Sequence, residues 1–471
     1  MEIQEDAVAI FQAGVARVDP RRLLASVARL EGSVLRLKGA DAECAYDLAG
    51  FRHILVGGMG KASAVMAQEM EALLGSRIED GFVVAKAIAG ARCSRIRLAE
   101  AGHPVPDGRS VAAGAALLSL AARARSWESA GEPTLVILLI SGGGSSLAAA
   151  PAAGLSLEDK AQVTKLLLGS GAPIQEMNAV RKHLSGIKGG RLAEAFAPAT
   201  LVSLILSDVL GDDLDAIASG PAVPDSSTWE EARSILARRA VWDSLPAAAR
   251  RIFEAGLAGS IPDTPKPGSS AFANARTLIV GNNMLALEAA EAEARARGYA
   301  CLLLSSRLDG EARQVARLFH SIAEDIDIYS RPLSRPACVL AGGETTVILK
   351  GGGKGGRNQE MALAFLCLLT PRGKSGKTGS GSGSGSHDRA PSEGSQMVFL
   401  SAGTDGTDGP TDAAGAFASP ALAEKAAALG LDARAYLEDN DSYTFFDSTG
   451  GLYKTGSTGT NVCDMQILLM R

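Results

Sequence analysis

The sequence predicts an α/β protein of two domains with largely parallel, helix-covered sheets, and three observations lead there. The chain has 471 residues, more than one ordinary domain holds. Short apolar runs recur at 54–56, 82–85, 135–140, 201–206, 278–280, 301–304, 338–341 and 398–400, each bounded by Gly, Ser or Asp. Between many of them lie Ala-, Leu- and Arg-rich stretches with helical spacing, such as 110–124 and 285–297. Runs this short and continuous suit strands buried on both faces, and their alternation with helices suits parallel crossover units.

A Pro-, Ser- and Gly-rich stretch at 259–271 reads as a boundary. It predicts an N-terminal, Rossmann-like domain over 1–260 and a C-terminal α/β domain over 272–471. A second break at about 371–396 carries Ser-Gly repeats and reads as a flexible surface insertion. Its Gly376-Lys-Thr378 imitates the end of a phosphate-binding P-loop. However, Pro371 stands where that motif needs Gly, and the segment follows a predicted helix (359–369) instead of a strand, so it is a decoy.

Composition excludes several functions. A formal charge of −5 and a pI near 5.7 oppose a general nucleic-acid binder, which carries a basic face. The six cysteines are scattered without a C-x-x-C pair, so neither a zinc site nor a disulfide framework is indicated. No apolar run approaches the roughly 20 residues that span a bilayer, and the acidic start does not resemble a signal peptide. A soluble, cytoplasmic protein, monomer or homodimer, is the expectation.

Two glycine clusters, almost 300 residues apart, carry the chemistry. Gly57-Gly58-Met-Gly60-Lys61 follows one apolar run, and Gly351-Gly-Gly-Lys-Gly-Gly-Arg357 precedes a helix. Glycine lets backbone N–H groups approach an anion, and a helix N-terminus attracts it. A long cation beside such a turn is what a transferring phosphoryl group requires. One turn from each half of the chain suggests an interdomain active-site cleft and a phosphotransferase. The first turn departs from the dinucleotide fingerprint because Ser63 replaces the third Gly, and Asp80 precedes the next apolar run instead of closing it.

Other strand ends carry further candidates. Ser141-Gly142-Gly143-Gly144-Ser145-Ser146 places three glycines between hydroxyls, which implies close contact of backbone and ligand. Gly58, Gly60, Asn282 and Glu344 lie at comparable points as substrate- or nucleotide-binding candidates. Asp208 and Asp405 offer carboxylates, Asp208 for a metal or base role and Asp405 for substrate or metal, since nucleotide chemistry uses Mg²⁺ held by one or two carboxylates. The basic run from Asn178 to Arg191 fits either a solvated helix face or an anion-facing turn. His103 reads as ordering a rigid loop.

Taken together, these motifs resemble the class II glycerate kinases, whose C-terminal part is called MOFRL. The matching pieces include Gly57 to Lys61, Gly102 to Asp107, Ser141 to Ser146, Asn178 to Gly190, Ser207-Asp208, Gly281 to Asn283, Gly342 to Thr346, Gly355 to Glu360 and Ser401 to Ala416. They run in the family's order over nearly the whole chain. Ser457 and Cys463 depart from the pattern, standing where Pro and Asn are usual. The resemblance implies ATP- and Mg²⁺-dependent phosphorylation of D-glycerate, normally at the 2-hydroxyl, with Lys61 and Arg357 as essential cations. An NAD(P)H-dependent hydroxypyruvate reductase is the rival reading, since it handles the same three-carbon acids.

Overall fold

The computed structural model describes residues 2–369 and 396–471. The Ser-Gly stretch and its decoy lie outside the described residues. The chain divides into two compact units, Asp19–Asn282 and a second made of Met1–Val18 with Asn283–Arg471.

The Asp19–Asn282 unit opens with helix Pro20–Val27 and a small antiparallel sheet, β1 (Ala28–Glu31), β2 (Val34–Lys38) and β3 (Glu43–Asp47). Six parallel strands follow: β4 (His53–Met59), β5 (Asp80–Ala85), β6 (Ile96–Glu100), β7 (Thr134–Ser141), β8 (Thr200–Leu206) and β9 (Ala275–Gly281). Their spatial order is β6-β5-β4-β7-β8-β9. Every residue of β7 is buried, which explains its uninterrupted apolar sequence. Leu117 and Leu120 of helix Gly108–Ser129 pack against Leu55, Val136, Leu138 and Ile140 on one face. Asp107 caps that helix, accepting from Ser110 N at 3.0 Å. Helices Leu157–Gly169, Ile174–His183, Trp229–Arg238 and Ala247–Leu257 form a separate apolar cluster around Val163, Val180, Trp229 and Phe253.

The other unit holds a six-stranded sheet: β10 (Ala300–Leu308), β11 (Ala337–Gly343), β12 (Met397–Gly403), β13 (Gly415–Ala418), β14 (Leu452–Tyr453) and β15 (Asp464–Met470), ordered β10-β11-β15-β12-β13-β14. Only β10 and β11 pair in parallel; the remaining pairs are antiparallel. The expectation of parallel sheets therefore holds for the first sheet and not for the second. Continuous apolar sequence reports burial on both faces, which β11, β12 and β15 share with β7 whatever the direction of their partners.

The expected boundaries are also displaced. The apolar run at 278–280 lies in β9, which pairs with β8 from Leu201↔Ala275 to Leu206↔Gly281, so the stretch at 259–271 is a connection inside a unit. The N-terminal helix Glu2–Arg17 joins the C-terminal segment. Its buried Asp6 accepts from Arg297 Nη1 at 2.7 Å, Tyr299 Oη at 2.6 Å and Arg471 Nη2 at 2.7 Å. A carboxylate removed from water needs such partners, and they are supplied from the far end of the chain.

Candidate active site

In the Asp19–Asn282 unit, β4 leads to β5 and β6 on one side while β7 leads to β8 and β9 on the other. Open α/β sheets bind ligands beyond the carboxyl ends of their strands at such a reversal. Two glycine turns interlock there. Lys61 N donates to Gly142 O at 2.9 Å, Ala62 N to Ser141 Oγ at 3.0 Å, and Ser63 Oγ to Leu139 O at 3.0 Å. Gly60 adopts φ +141°, and a β-carbon there would stand 2.1 Å from Ser141 Oγ, so no other residue fits.

These bonds revise one expectation. The amides of residues 61–63 are occupied by protein acceptors and do not cradle an anion; the turn instead fixes the base of the Lys61 side chain. The amides of Gly142, Gly143 and Gly144, by contrast, donate to no acceptor among the described residues. Gly143 has φ +81°, and its α-carbon faces the His103 ring and Lys61 Cγ, while the α-carbon of Gly142 faces the Asp208 carboxylate. Lys61 and His103 thus stand against Gly143, and Asp208 against Gly142, in this row of unused amides. The His103 pKa is lowered by burial and then by the charges of Lys61 and Lys86, which keeps the ring neutral. Its Nδ1 is buried without a partner. His103 therefore stands at the turn as well as in its loop, a placement its own flanking prolines did not signal.

The remaining candidates of this unit spread outward. Gly58 packs its α-carbon against Leu139 and Val83 inside the sheet. Ser146 Oγ donates to Gly143 O at 3.1 Å and closes the turn. Ser145 Oγ meets Ser219 Oγ at 2.7 Å and Lys188 Nζ at 2.8 Å. Asn282 Nδ2 donates to Asp212 Oδ2 at 2.6 Å. The basic run is not a solvated face. Lys182 is buried between Asp215 and Asp225, and His183 Nε2 lies 2.8 Å from Asp263 Oδ1.

In the other unit, Arg357 opens helix Arg357–Leu369. Its guanidinium grips Asp464 in two bonds, Nε to Oδ2 at 2.6 Å and Nη2 to Oδ1 at 3.0 Å, and Nη1 reaches Glu344 Oε1 at 2.8 Å. Burial opposes the Arg357 charge, but bonding to Asp464 and the charges of Asp464 and Glu344 more than offset it and raise its pKa. The glycine cluster before it also differs from expectation. Lys350 N and Gly351 N donate to Asn440 Oδ1, Gly352 N to Asp439 Oδ1, and Lys354 N to Asp441 Oδ1. Those amides hold the loop on residues 439–441 and do not offer themselves to an anion.

The acidic loop after β12 divides among local tasks. Asp405 Oδ1 accepts from Thr407 N at 2.9 Å and Thr407 Oγ1 at 3.0 Å, a self-contained turn. Asp408 caps the Arg357 helix through Asn358 N and Gln359 N, and burial pushes its pKa up to about 6 against those bonds. Asp412 pairs with Lys454. Among the described residues no three His, Cys, Asp or Glu side chains gather as a metal-holding group.

A family model described as a domain of unknown function, DUF4147, matches residues 6–254, and the MOFRL family model matches residues 337–464. The chain is 40% identical to a D-glycerate 2-kinase of Thermotoga maritima, covering 89% of this chain and 91% of that one. The chain belongs to the class II glycerate kinase (MOFRL) family. A crystal structure of a glycerate kinase from the same organism superposes with a TM-score of 0.82 at 36% identity and full coverage of both chains. A relative in Agrobacterium vitis, 39% identical over 98% of this chain and 93% of its own, carries the name putative hydroxypyruvate reductase. Among the described residues no helix is long and apolar enough to cross a membrane.

Proposed function

We propose that this member of the family is a cytoplasmic, ATP-dependent kinase, monomer or homodimer, that phosphorylates D-glycerate at the 2-hydroxyl, giving 2-phosphoglycerate and ADP. The observation that carries the reading is the row of unused amides at Gly142–Gly144, set at the sheet reversal beside Lys61. Consecutive N–H groups beside a cation suit phosphate oxygens. The glycerate oxygen attacks the γ-phosphorus, the bond to the ADP oxygen breaks, and the hydroxyl proton passes to a base. The neutral imidazole of His103 has that capacity.

A carboxylate and a phosphate set side by side can share one divalent cation. Asp208 fits that position, so it would hold the Mg²⁺ that neutralises nucleotide phosphate charge. Asp405, already turned onto Thr407, fits a loop role better than a metal one. Arg357, the second cation that the family resemblance implies, has three of its five N–H groups committed to Asp464 and Glu344.

The reductase alternative needs an acidic residue closing the second strand to hold a ribose. Lys86 follows β5 there, while Asp80 begins the strand and pairs with Arg123. Purified protein should release ADP from ATP only when glycerate is present and should leave NADH and NADPH unchanged with hydroxypyruvate. Nicotinamide oxidation without ADP release would reverse the assignment.

A further inference from the structure

Beside the Ser145 turn lie three cations that the proposed reaction has not used. Lys188 is buried, and its Nζ donates to Ser145 O at 3.0 Å and Ser145 Oγ at 2.8 Å. Ser219 Oγ bonds both Ser145 and Asn178, so the hydroxyls form one network with the ammonium. Lys160, from helix Leu157–Gly169, is 8% exposed, and its Nζ is buried with no hydrogen-bond partner. Arg181 is near enough to both lysines for its charge to depress them, and Lys160 likewise depresses Lys188. Among the described residues no carboxylate forms an ion pair with any of the three. The adjacent Lys182 shows the contrast, since it is buried against Asp215 and Asp225.

Buried charges are retained when something compensates them, and uncompensated like charges oppose each other at short range. Two buried lysines and the half-buried Arg181, with Lys188 at the edge of a turn with free amides, lack only an anion. We propose that Lys188, joined to the turn through Ser145 and Ser219, forms with the neighbouring Lys160 and Arg181 a subsite for a compact oxyanion of the reactants, a carboxylate or a phosphoryl group. The kinase reading supplies the two sources: the glycerate carboxylate and the phosphate being transferred.

The test is thermal unfolding of the full chain, wild type and Lys160→Met, titrated with sodium glycerate or inorganic phosphate against sodium chloride of equal ionic strength. Without anion, the variant should melt higher by several degrees, because an unpaired buried charge has been removed. With anion, the wild type should gain stability, and Lys160→Met should need at least ~10-fold more anion for the same gain. Response to glycerate alone assigns the subsite to the carboxylate, and response to phosphate assigns it to the phosphoryl group. Arg181→Met provides a second variant with the same expected loss. Equal stabilisation of wild type and variants, or no specific response of the wild type to either anion, overturns the proposal. ADP release by the wild type is scored separately. An active wild type whose variants keep normal anion response refutes the subsite alone. An inactive wild type with an anion response lost in the variants refutes the kinase and leaves the subsite standing.

Discussion

Replacing Gly142 by alanine tests the turn with one methyl group. A β-carbon built on residue 142 stands 1.8 Å from Asp208 Oδ2 and 2.4 Å from Asp208 Cγ. Ordinary contact begins near 3.4 Å, so the carboxylate must retreat by about 1.5 Å. The obstacle is the end of a side chain, and Gly142 is not among the glycines with positive φ, so the fold absorbs the change. A displacement of about 1 Å in a positioning group can lower turnover by about 100-fold. Gly142→Ala should therefore keep the wild-type melting temperature within a few degrees and lose roughly 100-fold in kcat for glycerate-dependent ADP release. Raising Mg²⁺ should recover part of the loss if Asp208 holds the metal. Turnover within about threefold of wild type would refute the argument that the Asp208 carboxylate works from its place against residue 142.

Further outcomes follow from other groups. Lys61→Ala should fold normally and lose at least about 100-fold in kcat/KM. Arg357→Lys keeps the charge but not the two-pronged grip on Asp464, and a similar loss is expected; near-normal kinetics in either purified variant would remove it from the reaction. Asp225→Ala strips Lys182 of one of its two carboxylates and should cost about 3–5 kcal/mol in urea unfolding, whereas a loss below about 1 kcal/mol would show the pair to be dispensable. Lys160 gives a pH signature. Burial and then the Arg181 charge lower it to about 7 from 10.5, so between those values the unfolded chain binds more protons than the native one. Its cost is full below about pH 7 and fades as pH rises. Anion-free wild type should gain about 2 kcal/mol on Lys160→Met between about pH 7 and pH 9, and parallel stability curves would contradict this.

What the sequence made legible was burial and close approach. The strands β4, β7 and β8 stood out because both faces are covered, and the turns at Gly60 and Gly142–Gly144 stood out because glycine marks contact between backbones. Strand direction stays hidden, since apolar composition does not encode the partner's polarity, and β15 is not among the apolar runs that mark strands in the sequence. Arg357 was found by its glycines, yet those glycines serve packing on residues 439–441. The pairing of Arg357 with Asp464, 107 positions away, has no local signature. Lys160 and His103 escaped for the same reason: each draws its meaning from neighbours supplied by other elements.

The seat of the first helix also bears on the order in which the polypeptide can mature. During synthesis, residues 19–282 are complete while Asp6 still lacks Arg297, Tyr299 and Arg471. Residues 2–17 are therefore made well before the groups that seat them, and their buried carboxylate gains its full set of partners only once Arg297, Tyr299 and Arg471 have followed.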